Sequence, residues 1–175
     1  MRRILVVVDM QKDFVDGSLG SKEAVAIVPA VVDKIKSYDI SDVFVTRDTH
    51  QPDYMETQEG KNLPVVHCIE GTDGWQLDEN VAKVVEGATF INKPTFGSTV
   101  LVDTIKRIYE KEAIEIELIG LCTDICVVSN ALLLKAAMPE VPIAVDPTCC
   151  AGVTPEKHEA ALKTMESCQI YIKAE

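Results

Sequence analysis

The feature that most constrains this chain is an alternation of short aliphatic runs with longer stretches of helical spacing. Ile4 to Val8 is a continuous apolar run, and 42–46 (DVFVT), 88–92 (ATFIN) and 116–120 (IELIG) repeat its character. Ile143 to Val145 and Gln169 to Ile172 complete six candidate strands. Runs apolar on both faces fit a parallel sheet covered by helices on each side. Helices are expected at about 28–38, 98–109, 124–138 and 155–167. Val28, Val31, Val32 and Ile35 fall at i, i+3, i+4 and i+7, one apolar face. Thr154 and Pro155 suit a cap and a first helical turn. The pattern predicts one domain over residues 1–175, a three-layer α/β/α doubly wound fold with a mostly parallel six-stranded sheet. Ligands of such folds bind beyond the carboxyl ends of the strands. The exception to the alternation is Thr49 to Leu77, a connection rich in Pro, Gly and Gln whose length marks it as functional or disordered.

Three polar residues stand where that rule puts a site. Asp9 follows the first strand, Lys93 follows the third, and Cys126 lies just past the fourth. Singly, each has a bland reading: an Asp that makes a turn, a solvated Lys, a core Cys. Together they share one edge of one sheet. The run Gly120 to Cys126 leads from strand into helix, and a thiol in a first helical turn meets free N–H groups and the positive end of the helix dipole. Both are expected to favour thiolate at Cys126, and the same N–H groups can receive an oxyanion. Lys93 would add to that pull, and Asp9 could accept the thiol proton. Cys122 is a rival nucleophile, placed in the turn rather than in the helix.

A second constellation lies in the long connection. Asp48-Thr49-His50 closes the second strand, and His67 follows in Val65-Val66-His67-Cys68. Imidazole and carboxylate suit zinc or another first-row divalent metal. A capping Asp with scattered surface histidines is the competing reading.

Charge and cysteine usage narrow the classes. The formal net charge of −11 would repel nucleic acid and anionic membrane surfaces. Five apolar residues after Met-Arg-Arg are too few for a signal-peptide core or a membrane span. Six cysteines without a CxxC pair, mostly in apolar stretches, read as free thiols in a reducing compartment, which predicts a cytoplasmic protein.

Asp9-Met10-Gln11-Lys12-Asp13-Phe14 resembles the DxQxDF opening of isochorismatase-like cysteine hydrolases. Lys93 to Ser98 resembles that family's Lys-centred segment, and Gly120 to Cys126 its G-x-x-T-D-x-C turn. The resemblance implies Asp9, Lys93 and Cys126 as a catalytic triad. It also implies a cis peptide at Leu121-Cys122 that helps to shape an oxyanion hole with Cys126. Asp48-x-His50, His67 and Gly71-Thr72 resemble the nicotinamidase branch. Where many members carry a third histidine this chain has Tyr54, and Glu59-Gly60-Lys61 matches a variant that uses glutamate. The implied ligands are therefore Asp48, His50, Glu59 and His67, around zinc, manganese or iron. The branch's usual stacking aromatic is replaced by Leu63-Pro64, which leaves Phe14 and Phe96 as aromatics to contact a substrate. The implied activity is hydrolysis of nicotinamide to nicotinate and ammonia. Hydrolysis of another small amide, carbamoyl compound or ureide is the alternative. A non-enzymatic binding protein on this fold would be expected to have lost a triad position, and none is lost. The family resemblance further implies a homo-oligomer.

Overall fold

Ile4, Val6 and Val8 point to one side of a central sheet and Leu5 and Val7 to the other, and none of the five has exposed surface. This two-sided burial is what an uninterrupted apolar strand requires. The computed structural model describes residues 1–174. The strands are β1 (Arg2–Val8), β2 (Val43–Asp48), β3 (Thr89–Lys93), β4 (Ile114–Leu121), β5 (Ile143–Ala151) and β6 (Tyr171–Ile172). They form one sheet in the order β3-β2-β1-β4-β5-β6, with every neighbouring pair parallel. The sheet is thus a six-stranded α/β sheet as predicted, and wholly rather than mostly parallel.

The helices are α1 (Lys12–Val15), α2 (Lys22–Lys36), α3 (Gln58–Asn62), α4 (Glu79–Ala82), α5 (Thr99–Tyr109), α6 (Val128–Ala137) and α7 (Pro155–Ser167). Leu101 and Ile105 of α5, Ala131 and Leu134 of α6, and Leu162 and Met165 of α7 pack on the Ile4–Val6–Val8 face. Val28, Val31 and Ile35 of α2 and Val81 of α4 cover the opposite face. No helix among the described residues is long and apolar enough to cross a membrane.

Among the boundaries that differ from the expectation, those of α2 and β5 have clear local causes. Helix α2 starts at Lys22 because Ser21 caps it, accepting from the Ala24 N–H, and it runs on through Pro29. Strand β5 continues to Ala151 past Pro147, because a register shift against β4 between Leu118 and Gly120 accommodates the proline. The long 49–77 connection is ordered into short pieces: α3 lies within it, and isolated bridges tie His50 to Ile69 and Gln11 to Leu77.

From β1 the chain adds β2 and β3 on one side, then crosses back to place β4 on the other. The crevice of such a sheet opens at this reversal, beyond the strand ends. Gly120 makes the approach possible there. It has φ +116, and a Cβ would meet the Val8 carbonyl oxygen at 2.1 Å, immediately before Asp9.

Further down the sheet, a charged residue interrupts the β4 run. Glu117 is almost fully buried, and its carboxylate meets Lys34 at 2.9 Å, accepts from the Tyr38 hydroxyl at 2.6 Å and pairs with Lys173. Lys34 also contacts Asp146 at 2.6 Å. Burial works against ionisation of Glu117 and Asp146, yet their hydrogen-bonded partners outweigh it and hold both carboxyls below the usual range. A carboxyl whose pKa is lower in the folded state stabilises the fold above its unfolded pKa. That contribution is lost as pH falls through the folded pKa. Chemical denaturation across pH should show stability declining below about pH 4.5. Glu117→Gln should cost about 3 kcal/mol at neutral pH and flatten this acid limb. An unchanged acid limb in the variant would show that Glu117 is not the titrating group.

Candidate active site

Asp9 directly follows β1, in the left-handed region at φ 48, a conformation that Asp tolerates better than most residues. Its Oδ1 accepts from the Thr46 hydroxyl at 2.7 Å, and its N–H approaches the Thr46 carbonyl at 3.2 Å, which fixes the carboxylate between β1 and β2. Lys93, the last residue of β3, reaches under both strands. Its Nζ lies 2.6 Å from Asp9 Oδ2, 3.5 Å from Asp48 Oδ1 and 3.4 Å from Cys126 Sγ, and donates to the Thr95 carbonyl at 3.0 Å. Asp9, Lys93 and Cys126 are thereby brought together, all buried. The cis peptide lies at Leu121-Cys122.

One electrostatic expectation is corrected. Residues Thr123–Val127 form a π-turn ahead of α6 rather than a first α-helical turn. Burial, together with the charge of Asp9, raises the Cys126 pKa well above its ordinary value against the pull of Lys93. The resting group is a thiol. Burial also raises Asp9, opposed by Lys93, which makes its carboxylate a more willing proton acceptor. Burial disfavours the Lys93 ammonium, but the carboxylates of Asp9 and Asp48 outweigh it and keep Lys93 charged. Cys122 is half-buried, its thiol pushed up to about 12 by burial and then by Asp124.

Asp48, His50, Glu59 and His67 each offer one ligand atom, all within 4.8 Å of one another. His50 Nε2 lies 2.9 Å from Asp48 Oδ2 and 3.6 Å from Glu59 Oε1, and His67 Nε2 lies 3.5 Å and 3.8 Å from the same two atoms. Four donors at about 2.0–2.2 Å around a tetrahedral ion would stand roughly 3.3–3.6 Å apart. His67 Nδ1 meets the Val65 carbonyl at 2.7 Å, which assigns the proton to Nδ1 and leaves Nε2 its lone pair. Charge agrees as well. Asp9, Asp48 and Glu59 bring three negative charges against Lys93, and a divalent cation would neutralise the remainder. The donor set fits a first-row divalent metal.

Glu59, not Tyr54, completes the group. Thr57 caps α3 and sets Glu59 in its first turn, while Gly60 passes so close to the Tyr54 carbonyl that a Cβ would stand 2.1 Å from its oxygen. Tyr54 packs its ring 4.7 Å from that of His50 and 4.9 Å from that of His67, and donates its hydroxyl to the Leu63 carbonyl at 2.9 Å.

Cys126, Asp48, Glu59 and His67 line one cavity of about 480 Å³, whose walls also include Phe14, Leu63, Phe96, Ile125 and Val153, while Asp9, Lys93 and His50 lie outside its lining. Phe14 is buried with its ring 5.5 Å from that of His67, whereas Phe96 is exposed at the rim. The sequence alone does not reveal the roles of Gln11 and Asp13. Gln11 bonds both the N–H and the carbonyl of Asp48 (2.7 and 2.8 Å) and also the Trp75 carbonyl. Asp13 accepts from the Cys68 N–H at 2.8 Å. These motif residues pin Asp48 and the backbone beside His67, and only their shared spacing with Asp9 could have hinted at it.

Comparison with known proteins follows this geometry. The sequence model of the isochorismatase domain matches residues 3–175. The fold superposes on the pyrazinamidase/nicotinamidase of Streptococcus mutans with a TM-score of 0.84 at 27% identity, covering 98% of this chain and 99% of that one. The pyrazinamidase of Pyrococcus horikoshii, solved in complex with zinc, gives 0.78 at 25% identity with 100% of each chain covered. The N-carbamoylsarcosine amidase of Thermoplasma acidophilum gives 0.75 at 26% identity, covering 99% and 96%. Comparison with curated protein sequences gives no significant match. With the family's domain spanning nearly its whole length and amidases among its structural neighbours, this chain belongs to the isochorismatase family as one of its hydrolases.

Proposed function

We propose that the chain is a metal-assisted cysteine amidohydrolase that converts nicotinamide to nicotinate and ammonia. The observation that carries this reading is the position of Lys93 Nζ, which touches Asp9, Cys126 and Asp48 at once. It links the Cys126 thiol to the four-ligand group, and Cys126, Asp48, Glu59 and His67 all line one pocket.

Asp9 takes the Cys126 proton as the sulfur attacks the carboxamide carbon. A C–S bond forms, and the carbonyl electron pair moves to oxygen, where backbone N–H groups of the 121–126 turn receive it. Asp9 returns the proton to the amide nitrogen, the C–N bond breaks and ammonia leaves. A water then gives its proton to Asp9 and attacks the thioester, the C–S bond breaks, and nicotinate departs with the thiol restored. Lys93 stays charged throughout, holding the Asp9 carboxylate in place and stabilising negative charge on sulfur. A divalent ion held by Asp48, His50, Glu59 and His67 would supply an open coordination position and positive charge to orient the pyridine nitrogen. Phe14 forms the buried aromatic wall beside His67.

A second reading keeps the chemistry and changes the substrate to a carbamoyl compound or ureide. It is favoured by Leu63, which lines the cavity where a stacking aromatic would serve a pyridine ring, and by the amidase neighbour named for N-carbamoylsarcosine.

Cys126→Ala should lower the rate of ammonia release on the order of a thousandfold or more while leaving the melting temperature nearly unchanged. Cys122→Ala, which removes a thiol with no cation at contact distance, should cost less than about tenfold. Equal losses would transfer the nucleophile's role away from the residue beside Lys93.

Chelation should remove activity, and added zinc, manganese or iron should restore it. Nicotinamide and pyrazinamide should exceed benzamide by on the order of a hundredfold in kcat/KM, since benzamide has the shape but no ring nitrogen. Active protein without stoichiometric metal, or benzamide turned over as fast as nicotinamide, would favour the second reading.

A further inference from the structure

Asn130 stands in α6 one turn beyond Cys126, with no exposed surface. A buried carboxamide has two N–H donors and an acceptor oxygen to satisfy, and each left unpaired is costly. All three are met. Nδ2 donates to the Cys126 carbonyl at 2.8 Å and to the Phe96 carbonyl at 3.2 Å, while Oδ1 accepts from the Ser98 N–H at 2.9 Å. Only one orientation of the amide serves this set, because two carbonyls demand the nitrogen and one N–H demands the oxygen.

Phe96 and Ser98 belong to the connection that starts at Lys93. That connection is held at its near end by the Lys93 bond to the Thr95 carbonyl, and at its far end by Ser98, whose hydroxyl caps α5 at Leu101. One side chain therefore joins the segment carrying Lys93 and the rim aromatic Phe96 to the backbone of Cys126. We propose that Asn130 is a positioning residue for the hydrolysis: it sets the 3.4 Å separation of Lys93 Nζ from Cys126 Sγ and seats Phe96 on the pocket rim. The inference rests on Cys126 as the nucleophile and not on which amide is cleaved. Misplacing a reacting group by about 1 Å costs on the order of a hundredfold in rate.

The test uses the full, zinc-loaded chain with Asn130→Asp, Asn130→Thr and Asn130→Ala. Three quantities are read: the kcat and KM for nicotinamide, the rate of Cys126 alkylation by iodoacetamide followed by peptide mass spectrometry, and the melting temperature. Aspartate keeps the shape but turns an acceptor toward two carbonyls, so kcat and alkylation should fall together by about tenfold to a hundredfold, with KM rising by a smaller factor as Phe96 shifts on the rim. Threonine can donate to the Cys126 carbonyl one turn back, as helical threonines do, and should recover a substantial part of the rate relative to alanine. Should Asn130→Asp not fold, the threonine–alanine comparison decides. A kcat and an alkylation rate equal in these two variants, or unchanged from the parent while only the melting temperature drops, would overturn the positioning role. If Cys126→Ala keeps the parent kcat, the nucleophile assignment itself fails and the positioning role with it.

Discussion

The buried ammonium of Lys93 is the interaction on which the rest of this site depends. A charge without exposed surface carries a desolvation penalty of several kcal/mol and persists only where opposite charges and hydrogen bonds surround it. Here the compensation comes from three different chain segments. Asp9 follows β1, Asp48 ends β2, and the Thr95 carbonyl follows β3, so Lys93 is solvated only when those strand ends are aligned. The parallel register that pairs Asp48 with Lys93 supplies that alignment, and Gln11 reinforces it by bonding Asp48 on both sides of its backbone. Fold and site are in this sense one structure, since loosening any of the three strand ends would leave the cation unpaired.

In the proposed function the same cation lets an unreactive thiol serve. Cys126 rests protonated because burial and Asp9 disfavour its charge, while the buried Asp9 has gained basicity. The proton therefore has a short route and a receptive acceptor, and Lys93 contacts both donor and acceptor. Asp48 extends the network to His50 and His67, so charge at the four-ligand group and charge at the thiol are felt by one side chain.

Much of this was legible in the chain. Continuous apolar runs such as Ile4 to Val8 announce two-sided burial, and polar residues directly after such runs mark the strand ends where Asp9, Lys93 and Cys126 meet. Other features were hidden because they are matters of distance. Glu117 sits inside a run that reads as apolar, and only the folded chain brings Lys34, Lys173 and Tyr38 around it. The π-turn at Thr123–Val127 and the depth of Cys126 reverse the direction in which local helix electrostatics alone would move its pKa. Proline at 147 looks like the end of a strand until the register shift opposite Gly120 is seen. The hydrogen bonds of Gln11, Asp13 and Asn130 are likewise invisible in a linear pattern, since each partner lies on another element.

The central claim is that Cys126 attacks an aromatic carboxamide held between Lys93 and the four-ligand group. An aldehyde with the same ring, pyridine-3-carbaldehyde, can add the thiol but has no amine to expel, so the adduct should persist. A crystal structure of the zinc-loaded protein with this aldehyde tests the claim most directly. The account predicts a covalent bond from Cys126 Sγ to the former aldehyde carbon, with the ring nitrogen directed at Asp48, His50, Glu59 and His67. An adduct on Cys122, or a ring nitrogen turned away from those four residues, would contradict it.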